Sequence, residues 1–462
     1  MELSEKNTLH EQMLKSLIES FEFNKMNYVP LILPSIFLFI SMMLISYGLG
    51  QTLKFLGTKL EEDVSLNVLL GSQMLQWGII SLLGFTIATM ITSYYVLENT
   101  RKHIYESSVT TYYFKGGSTA EGLIQYLRSI YARASLPAPV TGLLLSFLTS
   151  GLSYLVVLYI VEKTIREHAI LEENTLLESR VTGKYGLISF IIDLVLLFLT
   201  MGIYLAYMGY RLGKVYNKHV ELIHGNHPLP PSKKPDVNVS KEFPGDLFRE
   251  KSTTILISLL LVGIALNIML CYLGFYSILT YVPSYGLIIG AITVSRRNTS
   301  STRDFLLTLC LIYTLIIGSM LTGLLAHDTF SYIARSFQKQ VEEVGVGRDP
   351  WFTARYIFTN NLLISLPAII PYIGGLLIGY GVTNAGLLIG AIVGAGLRNL
   401  LEGLLILVYP HSLLELSAYS ILITSSKYLF SNTRKFLIHT ITGILVLFLA
   451  ALVEALTIVL LR

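Results

Sequence analysis

The stretch "GILVLFLAALVEALTIVLLR", Gly443–Arg462, decides the fold class. A helix of that length, rising 1.5 Å per residue, crosses a hydrocarbon layer roughly 30 Å thick. Comparable apolar blocks recur along the chain. Its 462 residues are 53% hydrophobic and only 14% charged, with a mean hydropathy of +0.61, far from the ordinary soluble range. Lipid offers no partner to backbone N–H and C=O groups, and the alternating pattern of a barrel strand is missing, so the blocks are read as helices. The expectation is an all-α, polytopic integral membrane helical bundle of about eleven transmembrane helices with amphipathic helices on its surface.

The crossings are placed near Val29–Gly50, Leu75–Leu97, Pro139–Val161, Gly186–Gly209, Thr253–Leu273, Tyr276–Val294, Phe305–Ala326, Tyr356–Tyr380, Ala385–Tyr409, His411–Leu429 and Leu437–Leu461. Lysine and arginine crowd four connections, around Arg101, Lys102, Lys115, Arg128 and Arg133, from Lys214 to Lys251, around Arg296, Arg297 and Arg303, and around Lys427, Arg434 and Lys435. All four fall on one side of this count. The opposite loops carry acidic clusters, Glu61, Glu62 and Asp63, then Glu167, Glu172, Glu173 and Glu178. The charge bias predicts a multi-pass cell-membrane protein with a cytoplasmic N terminus and an external C terminus.

The Pro/Lys-rich segment 226–251 reads as a cytoplasmic linker. It separates an N-terminal four-helix half, 1–225, from a two-helix segment, 252–304, and a five-helix domain, 305–462. In the first half, "SYGLGQTLKFLGTKLEED" faintly echoes "SYLVVLYIVEKTIREHAILEEN", a weak two-helix repeat. Leu9, Met13, Leu14, Leu17, Ile18 and Phe21 recur at helical spacing before the first crossing, and nothing there resembles a removable signal peptide. Phe330, Ile333, Phe337 and Val341 share one face of a second amphipathic surface helix, able to touch lipid, a neighbouring helix or a partner.

Ionisable groups within crossings cost about 2.5 to 3.5 kcal/mol each at the bilayer centre, so they face the bundle interior and pair. Here the polar residues gather in the last third: Asn360, Asn361, Asn384, Arg398, Glu402, His411, Glu415 and Glu454. Arg398 and Glu402, four apart, suit an intrahelical ion pair. In "YPHSLLELSAY", Tyr409–Tyr419, Pro410 suits a helix start, with His411 in the first turn and Glu415 one turn on. Glu454 needs a partner from another helix or must be neutral. The glycines of "GGLLIGYGVTNAGLLIGAIVGAG", Gly374–Gly396, suit close approach of helix backbones; a path lined by backbone is the sharper alternative.

The net charge of +4 implies no nucleic-acid partner. Cys271 and Cys310 lie in apolar blocks and form neither a disulfide framework nor a metal cluster. Two ligands, His411 and Glu415, are too few for a metal, and the remaining histidines fall mostly in loops, so no metal or other cofactor is expected. No Gly-x-Ser-x-Gly, His-Glu-x-x-His or phosphate-binding glycine loop is present, which argues against an enzyme.

"IFTNNLLISL" (Ile357–Leu366), "GVTNAGLLIG" (Gly381–Gly390), "YPHSLLELSAY" and "LAALVEAL" (Leu449–Leu456) occur in an order that resembles the stage II sporulation protein M family over about Phe305–Arg462. Ser412 stands where the family pattern usually has glycine. The resemblance implies a five-crossing membrane module, with Asn361, Asn384, His411, Glu415 and Glu454 as its polar positions. Sporulation members act as platforms for cell-wall hydrolases. It implies a non-enzymatic scaffold in the lipid bilayer with envelope or other membrane protein partners, and a homo-oligomer is compatible with it. A secondary transporter or channel for an ion, small solute or lipid, using the buried polar cluster, is the alternative.

Overall fold

The computed structural model describes residues 2–21, 24–57, 66–114, 119–134, 136–176, 185–224, 252–295, 301–330, 332–335 and 349–460. Among them every regular element is helical. Six helices are long and apolar enough to cross a membrane, or seven if one bent pair counts as a span. The expected linker 226–251 lies wholly outside these ranges, as do residues 58–65 and 336–348. Phe337 and Val341 of the expected surface helix fall in that part.

The chain divides into two compact units. The first comprises 1–40, 80–193 and 202–249, the second 41–79, 194–201 and 250–462. The helices in chain order are α1 (Glu2–Glu19), α2 (Tyr28–Gly57), α3 (Leu66–Phe114), α4 (Ala120–Ala134), α5 (Pro139–Leu148), α6 (Ser153–Leu176), α7 (Leu187–Leu199), α8 (Tyr204–His224), α9 (Ser252–Tyr272), α10 (Ile278–Ser295), α11 (Ser301–Leu325), α12 (Pro350–Ser365), α13 (Ile373–Gly394), α14 (Leu400–Val408), α15 (Pro410–Ser426) and α16 (Thr433–Leu460).

α3, whose residues from Ile80 on belong to the first unit, is the spine of that unit. Its 49 residues extend about 74 Å at 1.5 Å per residue, well past the end of any crossing, so Arg101 and Lys102 are helical rather than in a loop. The expected third crossing, Pro139–Val161, is instead a hairpin. Arg101 Nη1 donates to Leu136 O at 3.2 Å, just before α5. Ser93 and Ser146 hydroxyls meet at 2.9 Å, and Gly151 lies against Phe85. Beyond that turn α6 runs back, until His168 lies beside His103 with ring centroids 5.6 Å apart. Both ends of the hairpin therefore adjoin α3 at residues 101–103.

The fourth expected crossing, Gly186–Gly209, is a hairpin as well. Asp193 and Tyr185 of the incoming arm meet Arg211 of the outgoing one, and α8 continues until Tyr216 Oη donates to Asn99 O at 3.4 Å. The turns share a form. "TSGLSY" (Thr149–Tyr154) and "TMGIYL" (Thr200–Leu205) each hold a residue at φ +50 or +51 followed by a glycine at φ +89 or +96. Those left-handed values favour glycine, and a Cβ on either would also meet a side chain at 2.6 to 2.8 Å. This repeat differs in register from the faint echo read in the sequence, part of which lies outside the described residues.

The second unit is built on glycine. A Cβ on Gly386 or Gly390 of α13 would sit 2.5 Å from Ile316 O or 2.0 Å from Met320 O of α11, and one on Gly375 would sit 2.3 Å from Gly286 O of α10. Backbones thus touch directly, which is how helices associate where burial from water supplies no drive. The expected crossing Tyr356–Tyr380 is interrupted: α12 ends at Ser365, a 3₁₀ turn covers Leu366–Ile369, and α13 begins only at Ile373. Pro367 and Pro371 remove two N–H donors there, which stops one helix and separates the next. Consequently the expected crossing Ala385–Tyr409 is divided too, between α13 and α14. At the other end of the bundle, Asp304 of α11 and Lys427 form an ion pair with both side chains 1% exposed. Lys427 is therefore a packed residue, not a loop charge.

Two outcomes follow. With Cys271 and Cys310 replaced by serine, single cysteines at Lys102→Cys and Glu167→Cys should react with a membrane-impermeant maleimide from the same side of the membrane. Labelling from opposite sides would restore Pro139–Val161 as a full crossing. Gly390→Val should cost about 1–3 kcal/mol by overpacking, lowering the thermal midpoint in detergent, whereas Gly186→Ala, with nothing within 4 Å, should leave it unchanged.

Candidate functional site

The cavity of the second unit is created by a bend. α14 and α15 meet at 54°, because Pro410 has no N–H for the carbonyl of Ile406 and forces Tyr409 into an extended conformation, φ −60 and ψ 147. The carbonyls left behind are satisfied from elsewhere. Ser412 Oγ donates to Ile406 O at 2.6 Å, and Tyr313 Oη of α11 donates to Leu407 O at 3.2 Å. Ser412, the departure from the family's glycine, thus has a role in closing the bend.

Immediately beyond it lies a cavity of about 650 Å³, within the range of ligand pockets. Asn360 and Asn361 of α12, Asn384 of α13, His411 and Glu415 of α15 and Glu454 of α16 all line it. The structure therefore brings together six of the eight polar residues picked from the sequence. Glu415 accepts a hydrogen bond from Tyr419 one turn along α15, while His411 Nδ1 is buried and makes no hydrogen bond among the described residues. Apolar walls from α11, α13 and α14 complete the lining, so its chemistry is two carboxyl groups, an imidazole and three amides in a partly open, otherwise greasy cavity.

Arg398 and Glu402 do not join them. Both are exposed, and they do not share a helix. α13 ends at Gly394, Gly396 takes φ +70, and Asn399 starts α14 by accepting from Glu402 N at 2.8 Å while its Nδ2 donates to Glu402 Oε1 at 2.8 Å. That reciprocal cap occupies the carboxylate expected to pair with Arg398. The surface-helix residues Phe330 and Ile333 also reach the cavity. Phe330 is 3% exposed and packs on Tyr276 with ring centroids 5.8 Å apart, so this segment packs within the molecule.

Sequence reasoning missed the charged interior of the first unit. Glu162 of α6 accepts from Arg166 Nη2 and from Arg211 Nη2, each at 2.8 Å, and Arg211 also donates to Asp193 at 2.6 Å. Tyr185 and Tyr204 complete the Asp193 carboxylate. Neutralised in this way, the network pins the two hairpins together. The histidines were misplaced too: His103, His168 and His219 are not in loops but buried on α3, α6 and α8. Glu162 and Arg166, one turn apart in an apolar helix, were the available signal for the network.

Comparison with known proteins fits the second unit. Residues 285–457 match the family model described as stage II sporulation protein M. The match begins near the middle of α10, earlier than Phe305, and so takes in Gly286 and Gly290, against which α13 packs. It supports a non-enzymatic assignment for this membrane-embedded region. Residues 1–284 lie outside it, and no curated protein and no solved structure matches the chain.

Ser412→Ala and Tyr313→Phe should each strand a carbonyl at the bend and cost about 1–3 kcal/mol. Thermal unfolding in detergent checks this, and the double variant should depart from the sum, since the two bonds satisfy adjacent carbonyls of one bend.

Proposed function

We propose that the chain is a multi-pass membrane scaffold, organising envelope or membrane-remodelling partners without catalysing a reaction. The observation that carries this reading is the match to stage II sporulation protein M over residues 285–457, whose helices here are locked together through glycine-to-backbone contacts suited to a rigid platform. The N terminus faces the cytoplasm and the C terminus the outside. Charge bias supports that orientation without Lys427, because Arg434 and Lys435 remain exposed and basic residues also crowd the other connections on that side. With the bent pair counted as one span, seven helices are long and apolar enough to cross, an odd number that suits termini on opposite sides.

A second reading, a carrier of an ion, small solute or lipid, is favoured by one specific observation: the polar-lined cavity of about 650 Å³. Its acid and amide groups suit a cationic or hydrogen-bonding cargo.

A photoreactive residue placed at Ile333 or Trp351, both exposed, should give the same discrete protein adduct from either position in cells, and no adduct from either would sink the scaffold reading. Purified protein in liposomes should show no flux; ion or solute movement abolished by Glu454→Gln would establish the carrier instead. If hydrogen bonding is the role of Glu454, Glu454→Gln should also harm stability less than Glu454→Leu.

A further inference from the structure

His103, His168 and His219 come from three different helices of the first unit and are 2%, 6% and 1% exposed. One donor nitrogen from each lies within 4.8 Å of the others, and the rings stand edge to face with centroids 5.1 to 5.6 Å apart. The arrangement is not an accident of one helix face. The chain separation that relates Gly151 to Gly202 in the two hairpin turns also relates His168 to His219, so the repeated hairpins deliver equivalent imidazoles to the same point. The spine α3 supplies the third.

We propose that these three histidines form a binding site for a divalent transition-metal ion of the zinc type. Neutral imidazole is the commonest protein ligand for such ions, and an all-nitrogen set disfavours magnesium and calcium, which take oxygen. Bonds of about 2.0–2.1 Å place tetrahedral donors roughly 3.3 Å apart. Small side-chain rotations reach that spacing from separations of at most 4.8 Å. Three protein donors leave a coordination position for water or another small ligand. Glu106, one turn along α3 from His103 and 5% exposed, lies on the same face, ion-paired with Lys102 at 3.7 Å, and Tyr216, with its ring 5.0 Å from His103, closes one side. The ion ties both hairpins to α3 on the side where the chain enters them.

The test uses the full chain, purified in detergent without a polyhistidine tag, stripped with chelator and titrated with Co²⁺ and then Zn²⁺. One Co²⁺ per chain should bind, with the visible absorption of low-coordinate cobalt, be displaced by Zn²⁺, and raise the thermal midpoint. His168→Ala and His219→Ala should each weaken binding by about 100-fold or more, while His411→Ala, in the other unit, should leave it unchanged. Should an alanine variant fail to fold, His219→Cys retains a ligand and should bind with a new sulfur-to-cobalt charge-transfer band. Wild-type protein that takes up neither ion, or binding that survives both His168→Ala and His219→Ala, overturns the site.

Discussion

A backbone carbonyl that loses its helical partner in hydrocarbon has no water to turn to, and every departure from straight helix in this protein is shaped by that constraint. At the Tyr409–Pro410 bend the debt is met by two hydroxyls, one three residues beyond the extended Tyr409 and one from another helix. At the hairpin turns it is met by tight local bonds, such as Gly151 N donating to Ser146 O at 2.7 Å, made available by left-handed residues. Once the bend is tolerated, the side chains just past it are turned inward, and the polar chamber of the second unit exists.

Polar interiors of two kinds result. The first unit contains formal charges that neutralise one another at contact distance, Glu162 and Asp193 against Arg166 and Arg211. Replacing one member would leave the rest uncompensated in a medium where an isolated charge is very costly. The second unit pairs Asp304 with Lys427 but keeps the polar groups of its cavity around open volume. These are different physical solutions, satisfied pairing and retained space.

How far the sequence could be read depended on whether a feature is local. Apolar block length gave the fold class, and glycine spacing in Gly374–Gly396 gave the close packing, because each is a property of one helix. The cavity residues were legible for a similar reason: a polar side chain in an apolar run is conspicuous wherever it ends up. What the sequence concealed were reversals. Pro139–Val161 has the length of a crossing, and only the pair of left-handed residues at Ser150 and Gly151 converts it into a hairpin. That reversal carried His168 to His103, so the missed turn and the misplaced histidines are one error. Arg398 and Glu402 failed differently, since four-residue spacing implies a shared face only if the helix is unbroken between them.

The Asp304–Lys427 pair carries a consequence for biosynthesis. Asp304 stands in the first turn of α11, whereas its counter-ion is made more than a hundred residues later, at the end of α15. During translation α11 therefore reaches the bilayer before Lys427 has been made, and this ion pair can close only after α15 has emerged.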